Sequence, residues 1–151
     1  MKNYAVVSAV TDVRRSFAVT LGLQEGYGPT GKTHTAADVV AAAAEWMKAK
    51  AAAGLAFLTG TVSGEGTVVY AYPDGPGKAA SGTEPSTVFG GEVSVLYSAN
   101  LTDDEVVGLL NELAGHLGNA LGQTRVYVAY RDKTWVLQAE ETATPTGETV
   151  S

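Results

Sequence analysis

Residues 102–117 read TDDEVVGLLNELAGHL, and this stretch predicts one of two helices. Thr102 and Glu105 have capping-box spacing, in which the threonine oxygen accepts from a backbone N–H and the carboxylate reaches back. The apolar residues that follow recur at helical spacing and form one stripe: Val106, Leu109, Leu110, Leu113 and Leu117. We therefore expect a helix from Asp103 to about Leu121 that packs its apolar side on a sheet.

The same signature occurs earlier in the chain. Thr35 and Asp38 also have capping-box spacing, and an alanine-rich helix is predicted over residues 36–53. Each helix follows one alternating strand and precedes two strands that a turn separates. The order strand, helix, strand, strand therefore occurs twice, over residues 16–72 and 92–139.

This repeated order predicts the fold class. We expect an α+β protein in which duplicated strand-helix-strand-strand units form a largely antiparallel sheet with both helices on one face. The order resembles the tandem modules of gyrase-inhibitor-like small-molecule-binding domains, a likeness that implies a fold and no site residue. A further edge strand is predicted at Tyr4–Val10. The strands predicted within the two units are residues 17–23, 55–62, 67–72, 93–97, 125–130 and 134–139.

The length of 151 residues is that of one domain, and we expect a single α+β domain over residues 1–140. Residues 73–91 are rich in Pro, Gly, Ser and Thr, which predicts a flexible loop between the units. Residues 141–151 have the composition of a disordered tail.

Charge and composition exclude several classes of partner. The net charge is −6, from ten basic and sixteen acidic residues, so the average field repels duplex nucleic acid. The apolar run at the start of the chain is too short for a membrane span, and it makes a poor signal peptide. These features favour a cytoplasmic protein without a membrane partner. There is no cysteine, and the two histidines have no partner at metal-ligand spacing, so we expect neither a metal nor a cofactor.

Residues 26–33, GYGPTGKT, match the phosphate-binding pattern G-x-x-x-x-G-K-(S/T) letter for letter. Such glycines let backbone N–H groups turn towards an anion at the positive end of a helix. A plain glycine-rich surface loop is the alternative without a ligand. The candidate ligand contacts in and beside this loop are Gly28, Thr30, Gly31, Lys32, Thr33 and His34.

A phosphate-loop NTPase needs more than a phosphate-binding loop. Phosphoryl transfer uses a magnesium-binding Asp at the end of a second, parallel strand, and the two candidates, Asp74 and Asp132, fall in predicted turns. The duplicated antiparallel sheet is also unlike the parallel sheet of those enzymes. Catalysis is therefore not expected, and we assign no catalytic residue.

The strand at residues 125–130 and the turn after it add a second group of candidates. Alternation separates the apolar side chains from Arg125, Tyr127 and Arg131, whose guanidinium groups and ring suit a phosphate and a base. The alternatives are a solvated face and a face buried in a homo-oligomer.

Together these patterns favour a small non-catalytic protein that sequesters or senses a small anionic, nucleotide-derived ligand and forms a homo-oligomer. Two alternatives remain: a structural homo-oligomer, and a phosphate-loop NTPase or other phosphate-handling hydrolase.

Overall fold

The computed structural model describes residues 1–8, 10, 13–26 and 31–140. Among these residues, neither helix is long and apolar enough to cross a membrane. The helices and strands of the described chain are β1 Ser16–Gly22, α1 Ala36–Ala52, β2 Thr61–Val62, β3 Gly66–Pro73, β4 Ala79–Glu92, α2 Asp103–Ala120, β5 Arg125–Tyr130 and β6 Lys133–Gln138.

The six strands form one sheet in the order β2-β4-β1-β5-β6, and β3 also pairs with β4. Every pairing of these strands is antiparallel. Ser86 of β4 is opposite Gly22 of β1 on one edge and Gly66 of β3 on the other. The predicted fold class, an α+β protein with a largely antiparallel sheet and helices on one face, is confirmed.

Local capping explains where both helices begin. In α2 the Thr102 side chain accepts from the Glu105 backbone at 3.1 Å, and the Glu105 carboxylate accepts from the Thr102 backbone at 2.9 Å. Thr35 and Asp38 form the same reciprocal pair at α1. Both capping boxes were predicted from the sequence, and both are confirmed.

The core lies between the two helices and one face of the sheet. Alternation along β1 turns Phe17, Val19 and Leu21 inwards, where they are buried. Burial of each large apolar side chain contributes about 1.5–3 kcal/mol to folding. The helices bury against them a set of residues that includes Val39, Trp46, Val106, Leu110, Leu113 and Leu117.

The prediction of a flexible loop over residues 73–91 is wrong for most of its length, because residues 79–91 belong to β4, the longest strand. Its glycines provide space for neighbouring groups rather than flexibility. A Cβ on Gly82 would lie 2.6 Å from the Tyr70 hydroxyl, and one on Gly90 would lie 3.0 Å from the Phe17 carbonyl oxygen. The strand is held from both edges, which its composition does not reveal.

Three other predicted strands differ from the structure. Residues 93–97 turn instead, with the Ser94 hydroxyl accepting from the backbones of Leu96 and Tyr97. Of the predicted strand 55–62, only Thr61–Val62 pairs in the sheet. Residues 4–8 and 10 form no strand. The predicted tail 141–151 lies outside the described residues.

The order strand, helix, strand, strand occurs twice in the structure if β4 is taken as the first strand of the second unit, but the strand pairing differs between the two units. β5 and β6 form a hairpin, whereas β2 and β3 both pair with β4. The equivalence of the two units therefore remains a prediction.

Candidate functional site

A cavity of about 230 Å³ lies on the face of the sheet that the helices leave open. Because alternate residues of β1 point to the core, Gly22 faces this cavity at the end of the strand. The other walls come from the β3–β4 hairpin, the start of β5 and the segment before it. The lining residues are Gly22, Gln24, Gly26, Val68, Tyr70, Glu84, Gln123, Thr124, Arg125 and Tyr127.

The β3–β4 hairpin supplies an aromatic ring and a carboxylate. Val68 is opposite Glu84, and Tyr70 is opposite Gly82, so the side chains of Val68, Tyr70 and Glu84 share one face. The Tyr70 ring lies over Gly82 and 6.2 Å from the ring of Tyr72. The hairpin register therefore places Tyr70 and Glu84 together on the cavity wall.

Gln123 has its side-chain amide fixed by two hydrogen bonds. Its Nε2 group donates to the carbonyl oxygens of Gln24 and Leu121, each at 3.1 Å. With its N–H groups used in this way, the acceptor Oε1 is directed towards Gly22. A Cβ on Gly22 would lie 2.7 Å from Gln123 Oε1 and 3.1 Å from Glu84 Oε1. Two oxygen acceptors, one of them a carboxylate, thus converge above Gly22, an arrangement suited to a cationic or N–H-bearing group.

The structure brings two of the three β5 candidates into this cavity. Arg125 and Tyr127 both line it, as their alternation predicts. Arg125 Nε donates to Gln138 Oε1 of β6 at 3.0 Å, and the Tyr127 side chain is 51% exposed. A guanidinium group and a ring are therefore available beside the Glu84 carboxylate.

Arg131 lies away from this group. It follows β5 with a positive φ of 56°, and its guanidinium bonds to Asp103 at the start of α2 at 2.9 Å. Arg131 is six positions after Arg125 in the chain, a distance of roughly 20 Å along an extended strand. The Tyr130 hydroxyl also donates to Asp103, at 2.5 Å. These bonds lower the pKa of Asp103, chiefly through Tyr130, while burial raises the pKa of Tyr130.

The GYGPTGKT loop borders the cavity through Gly26. Residues 27–30, which include the candidates Gly28 and Thr30, lie outside the described residues. The stem of the loop is a short antiparallel pair in which Gln24 is opposite Thr33. Within it, the Glu25 N–H donates to the Lys32 carbonyl at 2.8 Å. Gly31 is also tightly placed, because a Cβ on it would overlap the Glu25 carbonyl. Lys32 and Thr33 thus pair with Glu25 and Gln24, and Gln24 itself lines the cavity.

Carboxylates already occupy the amino end of α1. His34 is 8% exposed, and its ring lies 2.6 Å from the Glu25 carboxylate and 3.6 Å from that of Asp38. The Ala36 N–H donates to Glu65 at 3.1 Å, and a bond from the Thr35 backbone is the main cause of the lowered pKa of Asp38. An anionic ligand at this helix end would meet three acidic side chains, so the geometry does not favour His34 as a ligand contact.

The phosphate-loop NTPase alternative meets a structural objection. The sheet around β1 is antiparallel, whereas a phosphate-loop NTPase is built on parallel strands. Within the described part of the chain, no group of three or more His, Cys, Asp or Glu side chains is arranged to hold a metal ion.

The sequence patterns do not identify three residues that line the cavity: Tyr70, Glu84 and Gln123. Glu84 falls in the segment whose glycines and prolines indicate a loop, although the following STVF run has the composition of a strand. The orientation of Gln123 depends on the Gln24 carbonyl, 99 residues away in the chain, and no local pattern encodes that contact.

No protein-family model matches this chain, and no curated protein matches it. Its structure is similar to two solved structures of a phage SAM lyase, one without ligand and one in complex with S-methyl-5'-thioadenosine. The TM-scores are 0.62 and 0.60 at 18% and 17% sequence identity. Each match covers 92% of this chain and 100% of the other chain. At this identity the likeness shows a shared fold.

Proposed function

We propose that the protein binds S-adenosylmethionine, or a closely related sulfonium compound, in the cavity above Gly22 and cleaves it as a lyase. The observation that carries this proposal is the convergence of the Glu84 carboxylate and the Gln123 amide oxygen on one point. The fold that the chain shares with the phage SAM lyase supports the same class of ligand.

A sulfonium group suits this arrangement because it is a cation without N–H or O–H donors. It is held by charge and dipoles rather than by hydrogen bonds, and a carboxylate about 4 Å away contributes roughly 4 kcal/mol of attraction near a protein surface. The rings of Tyr70 and Tyr127 add the negative faces that attract cations. The Gln123 side-chain oxygen adds a second acceptor next to the Glu84 carboxylate.

The cavity also offers groups that are complementary to the adenine ring and the carboxylate of the ligand. An adenine ring stacks on an exposed Tyr ring with about 1–3 kcal/mol per base, and Tyr127 offers such a ring. The ligand carboxylate suits the Arg125 guanidinium. The cavity is smaller than the roughly 300–1,000 Å³ of typical ligand sites, so the described walls enclose only part of the ligand.

The reaction breaks the bond between the sulfonium sulfur and the γ-carbon of the amino-acid chain. Its electron pair moves to sulfur, which leaves as the neutral thioether S-methyl-5'-thioadenosine, the compound bound in one of the phage lyase structures. The γ-carbon either bonds to the substrate's own carboxylate oxygen, closing a lactone, or forms a double bond as a neighbouring carbon loses a proton. In the second route Glu84 accepts that proton, since it alone among the described lining residues carries a carboxylate.

Product analysis tests this function. The purified protein is incubated with S-adenosylmethionine, and both products are identified by mass spectrometry. Glu84→Gln keeps the size of the side chain but removes its charge, and we expect it to lower turnover at least a hundredfold. The matched control is Glu45→Gln, on an exposed carboxylate of α1.

The possible results separate the alternatives. Tight binding measured by calorimetry without S-methyl-5'-thioadenosine formation would support the sequestering function expected from the sequence and overturn the lyase. Absence of both binding and turnover in the wild-type protein would overturn the proposed ligand class.

We also propose that the protein forms a homo-oligomer. All eight residues of β3 are exposed, and its uncharged outer edge pairs with no other strand in the described chain. Val69 and Tyr72 are well exposed on opposite faces of this hairpin. An uncharged, open and largely apolar strand is a template for association, and a second copy of the chain is the partner we assign to it. Sedimentation equilibrium tests the oligomer directly.

A further inference from the structure

The first residues of the chain form an apolar arm that lies in solvent. The N-terminal arm, described as residues 1–8 and 10, is uncharged beyond Lys2 and rich in β-branched side chains. Tyr4, Val6, Val7 and Val10 are 77–91% exposed. The sequence predicts a strand here, yet the described arm residues form none. An apolar segment with strand-forming residues that pairs with no strand among the described residues indicates a binding element.

An apolar groove lies where this arm joins the body of the protein. The groove has a volume of about 710 Å³ and lies between the start of β1 and the turn after β4. Val93, Val95, Leu96 and Ala99 supply its apolar surface, and Val95 and Leu96 are about half exposed. Arg14 also lines it, so the groove and the root of the arm are adjacent.

The root of the arm is firmly held. The Arg14 guanidinium bonds to Glu92 at 2.8 Å, and the Arg15 guanidinium bonds to the Leu101 carbonyl at 2.7 Å. The Arg15 carbonyl in turn accepts from the Val93 N–H at 2.9 Å. In this structure Tyr4, Val6, Val7 and Val10 are exposed, so these arm residues do not fill the groove of their own chain.

We infer that the N-terminal arm of one copy packs into the groove of a neighbouring copy, in a reciprocal exchange. The root of the arm lies beside the groove, so two copies that meet at this surface need only a short reach. Ten extended residues span about 33 Å, which is ample for such a contact. Exchange of identical elements is a common route to homo-oligomers, and here it covers apolar surface on both partners. This inference rests on the proposed self-association and adds a second contact to the one proposed at β3.

The absence of cysteine from the chain allows a clean test by crosslinking. One preparation carries Val7→Cys and another carries Leu96→Cys; the two are mixed and treated with a short bis-maleimide. Only contact between different chains can join these two variants. The matched control replaces Leu96→Cys by Lys48→Cys, at an exposed position of α1. We expect at least ten times more mixed crosslink with Leu96→Cys than with the control.

Sedimentation equilibrium completes the test with the wild-type protein and a variant lacking residues 2–10. We expect a wild-type oligomer whose dissociation constant rises at least tenfold on deletion. A monomeric wild type would overturn both self-association and arm exchange. An oligomer unchanged by deletion, with mixed crosslinking at the control level, would overturn arm exchange alone. Crosslinking only within a Val7→Cys, Leu96→Cys double variant at high dilution would also overturn it, in favour of docking in the same chain.

Discussion

Gln123 Oε1 lies 2.7 Å from the point at which Gly22 would carry a Cβ atom. A Cβ at position 22 would therefore displace the ends of the Gln123 and Glu84 side chains. The backbone conformation does not require glycine, because no positive φ occurs there. The gap above Gly22 is also the point on which the Glu84 carboxylate converges. The absence of a side chain at position 22 thus lets the two oxygens that we assign to the sulfonium centre approach one another.

Gly22→Ala tests the importance of this gap. We expect affinity for S-adenosylmethionine to fall at least tenfold, because the new methyl group displaces Gln123 Oε1 and Glu84 Oε1 from the positions that we assign to ligand contact. Gly66→Ala is the matched control, since its Cβ would meet Ser86 at an ordinary 3.6 Å on the same sheet. Equal affinities of the two variants, measured by calorimetry, would place the ligand elsewhere.

The two arginines near the ends of β5 should behave differently. Arg125→Ala removes a guanidinium from the cavity wall, and we expect ligand affinity to fall roughly ten- to hundredfold, the equivalent of a charge-assisted hydrogen bond. Arg131→Ala removes a bond to Asp103 and should lower the melting temperature slightly while leaving affinity unchanged. Thermal unfolding and calorimetry on both variants separate these effects. A loss of affinity in Arg131→Ala alone would contradict the assignment of the cavity.

The sequence predicts those features of this fold that local signals encode. Both helices could be located because each begins with a threonine and an acidic residue three positions later, and these pairs bond to one another's backbones. The position of β4 was not predictable in this way. It pairs with β1 on one edge and with β2 and β3 on the other, and these contacts join segments far apart in the chain.

In the candidate site too, local sequence patterns predict some residues, while contacts between distant segments determine the others. Arg125 and Tyr127 were predicted to share a face because strand alternation is a local property, and they do line one cavity. Arg131 follows the same alternation but lies past the end of the strand, where the positive φ and the bond to Asp103 redirect it. Glu84 was missed because the glycines around it were interpreted as flexibility rather than as space for neighbouring groups.

Acid should weaken the contact between the two helices. Glu112 of α2 accepts from Lys50 at 2.7 Å and from the Trp46 ring N–H at 3.0 Å, both on α1. The bond from Lys50 is the main cause of a pKa for Glu112 below the ordinary 4.5. A lowered folded-state pKa contributes stability above pH 4.5, and this contribution disappears as the pH falls through the folded value.

Glu112→Gln tests this pH dependence. We expect the variant to melt at a lower temperature than the wild type at pH 7, and the difference to shrink steadily below about pH 4.5. Because the Glu112 side chain is 47% exposed, the effect at pH 7 should be small, below about 1 kcal/mol. A difference in melting temperature that stays constant down to pH 3 would show that the ionised pair is not its source.

Lys32 provides the test of the GYGPTGKT loop. The stem pairs the Lys32 carbonyl with the N–H of Glu25, next to Gly26 on the cavity wall, and the Lys32 side chain is exposed. An exposed ammonium acts on the ligand carboxylate through a screened field worth at most about 1 kcal/mol. We therefore expect Lys32→Ala to weaken binding of S-adenosylmethionine roughly two- to fivefold at low salt, with the difference lost near 1 M salt. Lys48→Ala, on the exposed side of α1, is the control. If Lys32→Ala binds as tightly as this control at low salt, the loop is a glycine-rich surface loop without a role in binding, and its match to the phosphate pattern is coincidental.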